Sequence, residues 1–233
     1  MDRVPNTALA VAALAAGAIV LSACGRDDAD LINGKTQFVS HCGACHELAR
    51  AGTKGTQGPS LDAAFRTPRQ DGMTAKTVEG VTVRQIAHPR RGSIMPAGLV
   101  KDDDAHDVAA YVGYAAGIPG KDTGPLAEAG KPKTSAKPAI AKGGKLTIAA
   151  VDGTAFEYTK ASAPAGQLTV AMPNKSPIGH NIELKGVSGA QGKVVTQGGV
   201  STFSVSLKPG KYTFFCAVPG HEAAGMKGEL TVK

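Results

Sequence analysis

Two hydrophobic periods divide the chain. Over residues 104–116, Val108, Tyr111, Val112 and Ala115 recur at i, i+3, i+4 and i+7, the single buried stripe of an amphipathic helix, and Asp102, Asp103 and Asp104 complement its positive N-terminal end. Gly34 and Phe38 lie on another predicted helix, which runs into residues 42–46. Beyond residue 145 the pattern changes. Short runs rich in Val, Thr, Phe, Leu and Tyr occupy 146–151, 155–159, 167–172, 180–184, 192–196, 202–207, 211–216 and 228–232, broken by Gly and Pro. Such spacing predicts an all-β sandwich. Between the two periods, residues 121–144 show no apolar repeat and are rich in Pro, Lys and Ala, which predicts a mobile, partly extended tether whose ends stand roughly 25–30 Å apart as a coil. The domains expected are therefore 31–120 and 145–233, with 121–144 as linker.

A third apolar stretch, 8–21, follows Arg3 and ends in Leu21-Ser22-Ala23-Cys24. It is short for a spanning helix, which needs about 20 apolar residues, and suits the core of a secretory signal. Leu-Ser-Ala-Cys resembles the bacterial lipoprotein lipobox. That resemblance implies a signal peptide over 1–23, acylation of Cys24, a short polar tether over 24–30 and a folded part held by lipid outside the cytoplasmic membrane. The alternatives are an uncleaved anchor and ordinary signal cleavage.

The net charge of +7 changes the picture little. Residues 31–120 hold ten basic and eight acidic side chains, 121–144 five and two, and 145–233 nine and five, so the excess lies in the linker and second domain. Scattered basic residues with only 4% aromatics fit an acidic protein surface or anionic lipid better than nucleic acid.

Cysteine usage points to chemistry. Cys42-Gly43-Ala44-Cys45-His46 is the Cys-x-x-Cys-His pattern that attaches a c-type haem through two thioethers, with the histidine ligating iron. A redox dithiol or half of a zinc site would share the Cys-x-x-Cys, but no strand precedes it and no second cysteine pair exists. Gly58-Pro59 follows, and Met95-Pro96 precedes the last helix. With these residues in place, 31–120 resembles the class I cytochrome c family. The resemblance implies an all-α fold whose terminal helices cross through Gly34, Phe38 and Tyr111. It also implies a Pro59 carbonyl that orients His46, and Met95 as the second axial ligand. A His/Met pair leaves the iron no vacant position. Met73 is the competing sulfur and is expected to pack or face solvent. His41, His88 and His106 are expected to be solvated.

The stretch Cys216-Ala217-Val218-Pro219-Gly220-His221-Glu222-Ala223-Ala224-Gly225-Met226 sets a thiolate, an imidazole and a thioether in one loop after an aromatic strand. Two imidazoles, one thiolate and a weak axial thioether make a blue-copper centre, and His180 is placed to be the second imidazole. On these residues 145–233 resembles the cupredoxin family, with loop spacing like that of auracyanin and rusticyanin. The resemblance implies a Greek-key sandwich, His180, Cys216, His221 and Met226 as type 1 copper ligands, Asn181 as a hydrogen-bonding partner near the thiolate, and a solvent-facing His221 on the Pro219-Gly220 rim. Met172 is expected in the core. All four cysteines are thereby assigned, leaving none for a disulfide.

The chain is thus expected to be an exported, membrane-anchored electron-transfer protein with one haem c and one copper. It would relay single electrons between redox proteins such as membrane oxidoreductases or a terminal oxidase, with no small-molecule substrate, no nucleic acid and no catalytic constellation of its own. The rivals are an electron-transfer subunit of a larger oxidoreductase and a copper-binding or delivery protein.

Overall fold

A computed structural model describes residues 29–233; the signal segment and Cys24 lie outside the described residues. The N-terminal half is helical. Helix α1 (Leu31–Gln37) is capped by Asp30, whose carboxylate accepts from the Ile32 and Asn33 amides. It continues into a π-helical turn, Phe38–Cys42, closed by Gly43 N–H donating to the Phe38 carbonyl at 2.8 Å. Helices α2 (Leu61–Gln70), α3 (Ala75–Ala87) and α4 (Asp102–Ala115) follow. A small hairpin, β1 (Glu47–Leu48) with β2 (Thr53–Lys54), stands directly after the Cys-x-x-Cys-His motif.

Close helix approach explains the expected crossing. A Cβ on Gly34 would lie 2.1 Å from the Asp107 carbonyl oxygen, so only glycine lets α1 meet α4 there. Phe38 and Tyr111 then pack with ring centroids 6.3 Å apart, both almost fully buried. Val108, Tyr111, Val112 and Ala115 are all buried in the same core, as their period requires.

The segment 121–144 departs from the tether its composition predicts. The Asp122 side chain is 1% exposed and is clamped by Lys35 at 2.9 Å and Arg50 at 2.8 Å, while the Tyr111 hydroxyl donates to it at 2.8 Å. Burial alone would raise its pKa; hydrogen bonds from Lys35, Tyr111 and Arg50 outweigh this and hold it below the usual carboxylate value. Helix α5 (Gly124–Glu128) follows, and Lys35 Nζ also donates to the Leu126 carbonyl. Farther on, β3 (Ala139–Ile140) already belongs to the second domain's sheet. The anchoring charges come from remote parts of the sequence, which local composition does not register.

The C-terminal half contains β4 (Lys145–Thr147), β5 (Ala150–Val151), β6 (Ala155–Phe156), β7 (Lys160–Ala163), β8 (Gly166–Pro173), β9 (Glu183–Leu184), β10 (Val200–Leu207), β11 (Gly210–Phe215) and β12 (Lys227–Val232). One sheet runs β10-β8-β4 and the other β3-β7-β12-β11-β9. Their inner faces bury Leu146, Leu168, Met172, Phe203, Phe214 and Leu230 in one core. In β10, Ser201, Phe203 and Leu207 point inward and most of the intervening residues outward.

Candidate haem and copper sites

In the helical half, the π-turn delivers Cys42, and His46 N–H donates to the Cys42 carbonyl at 2.9 Å. A π-turn re-aims side chains within an otherwise regular helix and is frequent at functional sites. The His46 ring is held by Pro59, whose carbonyl oxygen lies 2.9 Å from Nδ1 and accepts its proton. Gly58 is required beside it, because a Cβ there would come 2.5 Å from the imidazole. Cys42, Cys45, His46, Pro59 and Met95 all line one cavity of about 350 Å³, walled mainly by apolar side chains including Phe38, Ile86, Val108 and Val112. Gln85 donates to the Met95 sulfur at 3.9 Å, and Gly98 N–H ties the Met-Pro turn to α3 through the Ile86 carbonyl at 3.0 Å.

Both thiols have raised pKa values because burial disfavours thiolate, Cys42 reaching about 12. A redox dithiol needs the opposite, a stabilised thiolate. The residues therefore fit haem c: two neutral thiols for thioethers, an oriented imidazole, and an apolar slot of ligand-pocket size. Met73 packs against the helical core, and His88 and His106 are exposed. His41 differs from expectation. It is partly buried, and that burial lowers its pKa against the pull of Asp104 and Asp152.

In the second half, three donors converge from two distant stretches. β11 ends one residue before Cys216, whose N–H donates to the Met226 carbonyl at 3.1 Å, and Met226 N–H donates to the His221 carbonyl at 2.9 Å. His180 is fixed by reciprocal backbone hydrogen bonds with Val195 at 3.1 and 2.9 Å. The resulting separations are 3.1 Å between the two Nδ1 atoms, and 3.8 and 3.5 Å from Cys216 Sγ to His180 and His221. Donors bound at about 2.0–2.3 Å from one metal, at angles between tetrahedral and trigonal, would stand roughly 3–4 Å apart, so the triangle fits one ion. His180, Cys216 and Met226 are 0%, 1% and 0% exposed, which shuts out water.

Burial lowers His180 to about 3, with the neighbouring His221 adding to the effect, and burial lowers His221 to about 4. Both imidazoles are thus neutral and able to ligate at neutral pH. Burial raises the Cys216 pKa against hydrogen bonds from the Asn181 and Val218 backbones, so metal uptake must displace the thiol proton. Asn181 plays the part expected of it: its N–H lies 3.5 Å from the sulfur, and its side-chain oxygen accepts from Ala217 N–H at 2.8 Å. The second nitrogen of His180 is buried without a hydrogen-bond partner, and the Gly153 backbone is the group that offsets part of the fall in the His180 pKa. Nothing in the spacing around Gly153 singles it out. Among the described residues, Cys42, Cys45 and Cys216 form no disulfide.

The cytochrome c family model matches residues 31–116, and the model for copper binding proteins of the plastocyanin/azurin family matches residues 144–233. The chain carries a cytochrome c domain and a plastocyanin/azurin-type copper-binding domain. No curated protein matches it. Among solved structures, an auracyanin B is 23% identical, covering 44% of this chain and 94% of its own at a TM-score of 0.35. A dithionite-reduced auracyanin from the photosynthetic bacterium Roseiflexus castenholzii is 26% identical over 40% of this chain and 99% of its own, with a TM-score of 0.32. Auracyanin A, a blue copper protein from the green thermophilic photosynthetic bacterium Chloroflexus aurantiacus, is 21% identical over 38% and 98%, with a TM-score of 0.34.

The cytochrome c domain implies haem c, and His180, Cys216, His221 and Met226 fit a type 1 copper. Each group, when bound, supplies one-electron redox chemistry. The surrounding residues orient the donors, keep the imidazoles neutral and exclude water, so that few atoms need move when charge changes. One expectation is corrected: His221 is only 5% exposed and does not face solvent; Gly220 beside it lies against Gln57 and Ala44 of the cytochrome domain, while Pro219 stays exposed.

Proposed function

We propose that the chain is an exported, lipid-anchored carrier that relays single electrons between membrane redox complexes outside the cytoplasmic membrane. The observation that supports this most is the pairing, in one chain, of two one-electron donor sets: the cavity of Cys42, Cys45, His46 and Met95, and the buried triangle of His180, Cys216 and His221 beside Met226. With Met95 available to the haem iron and Met226 to the copper, each donor set would fill its metal's coordination, which supports reading the chain as a carrier of electrons. Carriers that meet several partners bind each weakly, through small contacts with charged rims. The lipobox-like Leu21-Ser22-Ala23-Cys24 supports acylation of Cys24 as the membrane attachment.

The test is an absorption spectrum with metal analysis of the purified full chain. A strong thiolate-to-copper band in the red together with a haem Soret band supports the carrier. Missing red absorption, with copper readily surrendered to a Cu(I) chelator, would favour a delivery protein. Mass spectrometry of the mature N-terminus tests the anchor, which requires an acylated Cys24 as first residue.

A further inference from the structure

We propose that the copper-ligand loop and the haem-attachment loop of this chain form a built-in junction, so that the chain's own cytochrome domain occupies the copper domain's contact face. The inference deepens the carrier reading and rests on it. Gly220, the residue before His221, meets the cytochrome domain: a Cβ there would lie 3.1 Å from Gln57 Cγ and 3.6 Å from the carbonyl oxygen of Ala44, between the two haem-attaching cysteines. A second contact is made by the turn at Gly153, where a Cβ would lie 3.3 Å from Val39 Cγ1 and 3.4 Å from the Val39 carbonyl oxygen. The copper-ligand loop and the Asp152-Gly153 turn thus both meet the segment 39–44 that carries Cys42.

Burial says the same. Val39 is 8% exposed yet belongs to neither domain's core, and Gly130 of the linker closes on it from another side, a Cβ there coming 2.8 Å from its Cγ2. Asp152, next to Gly153, is near enough to act on the His41 imidazole. The linker, tied down at Asp122 and again at β3, holds the domains at this contact. The step itself moves one electron, oxidising one centre as it reduces the other, with no bond or proton transferred. Exchange with outside proteins is then left to the other side of the haem cavity, where Ile94, next to Met95, is 74% exposed.

The experiment uses the full chain with both centres loaded, compared with Val39→Glu, which puts a charge into the contact without touching either ligand set. Small-angle scattering is expected to show a compact particle that expands in the variant. Pulse reduction is expected to show copper–haem equilibration that is first order and independent of protein concentration, slowed at least about tenfold in Val39→Glu as the docked population falls. Equilibration that scales with protein concentration, an unchanged scattering profile in Val39→Glu, or an expanded variant with an unchanged rate would each overturn the junction. If Val39→Glu loses its haem spectrum through misfolding, the unaltered chain decides: amide exchange must be protected at Ala44 and Gly220, and unprotected amides with bimolecular kinetics refute the docking. Absence of either chromophore in the unaltered chain would instead defeat the carrier reading itself.

Discussion

The two halves solve the same problem, a site that changes charge with little movement, in opposite ways. In the cytochrome domain the apolar core opens onto a cavity of about 350 Å³, so Phe38, Ile86, Val108 and Val112 are shaped to meet the cofactor. In the copper domain the donors touch one another at 3.1 to 3.8 Å, and Cys216 and Met226 are themselves members of the sandwich core. The first half keeps a cavity within its core for its cofactor, whereas the second half packs its donors into the core itself.

The most severe way to break this comparison is to remove each cofactor in turn. Cys42→Ala with Cys45→Ala is expected to abolish native near-ultraviolet dichroism from the helical half, whereas Cys216→Ser or copper removal should leave the strands folded and cost only the metal. Equal loss in both halves would refute the distinction.

Asp122→Ala ranks next. It leaves Lys35 and Arg50 without their carboxylate in a buried site, and should destabilise the cytochrome domain by about 3 kcal/mol in denaturant titration. It should also release the linker to protease. Gly34→Val is expected to cost about 2–3 kcal/mol in the same domain through overpacking of α1 on α4, with the copper domain's transition unmoved.

Acid gives a smaller, graded effect. Because the folded pKa of Asp122 is depressed, its contribution is complete above the ordinary carboxylate value of about 3.9 and is lost as pH falls below that through the folded pKa. The cytochrome domain should therefore lose this share of its stability below about pH 4, and the Asp122→Ala variant should not. At the bottom of the scale, Lys185→Ala removes an exposed pair with Glu222 at 2.8 Å and should change stability by no more than about 0.5 kcal/mol.

What the sequence revealed follows the same divide between local and remote causes. The last helix, expected over 104–116, spans Asp102–Ala115 because its stripe and its acidic start are local signals. The haem motif is likewise contiguous. Strand β7 had no such signal: Lys160–Ala163 lacks β-branched residues and is held by parallel pairing with β12 and β3. The run 192–196 resembled a strand, yet it forms only an isolated bridge from Val195 to His180, with glycines at 192, 198 and 199 around it. Asp122 read as one more polar linker residue, since neither Lys35 nor Arg50 is near it in sequence. The copper triangle was legible from chemistry rather than pattern, whereas Gly153 and Gln57 matter only for where another domain lies.

The most direct test of two separate one-electron centres is a stepwise anaerobic reductive titration of the fully loaded chain, followed at the haem bands and in the red together. The account requires two electrons per chain, one bleaching the red band and one shifting the haem bands. Uptake of a single electron, or of more than two, would contradict it.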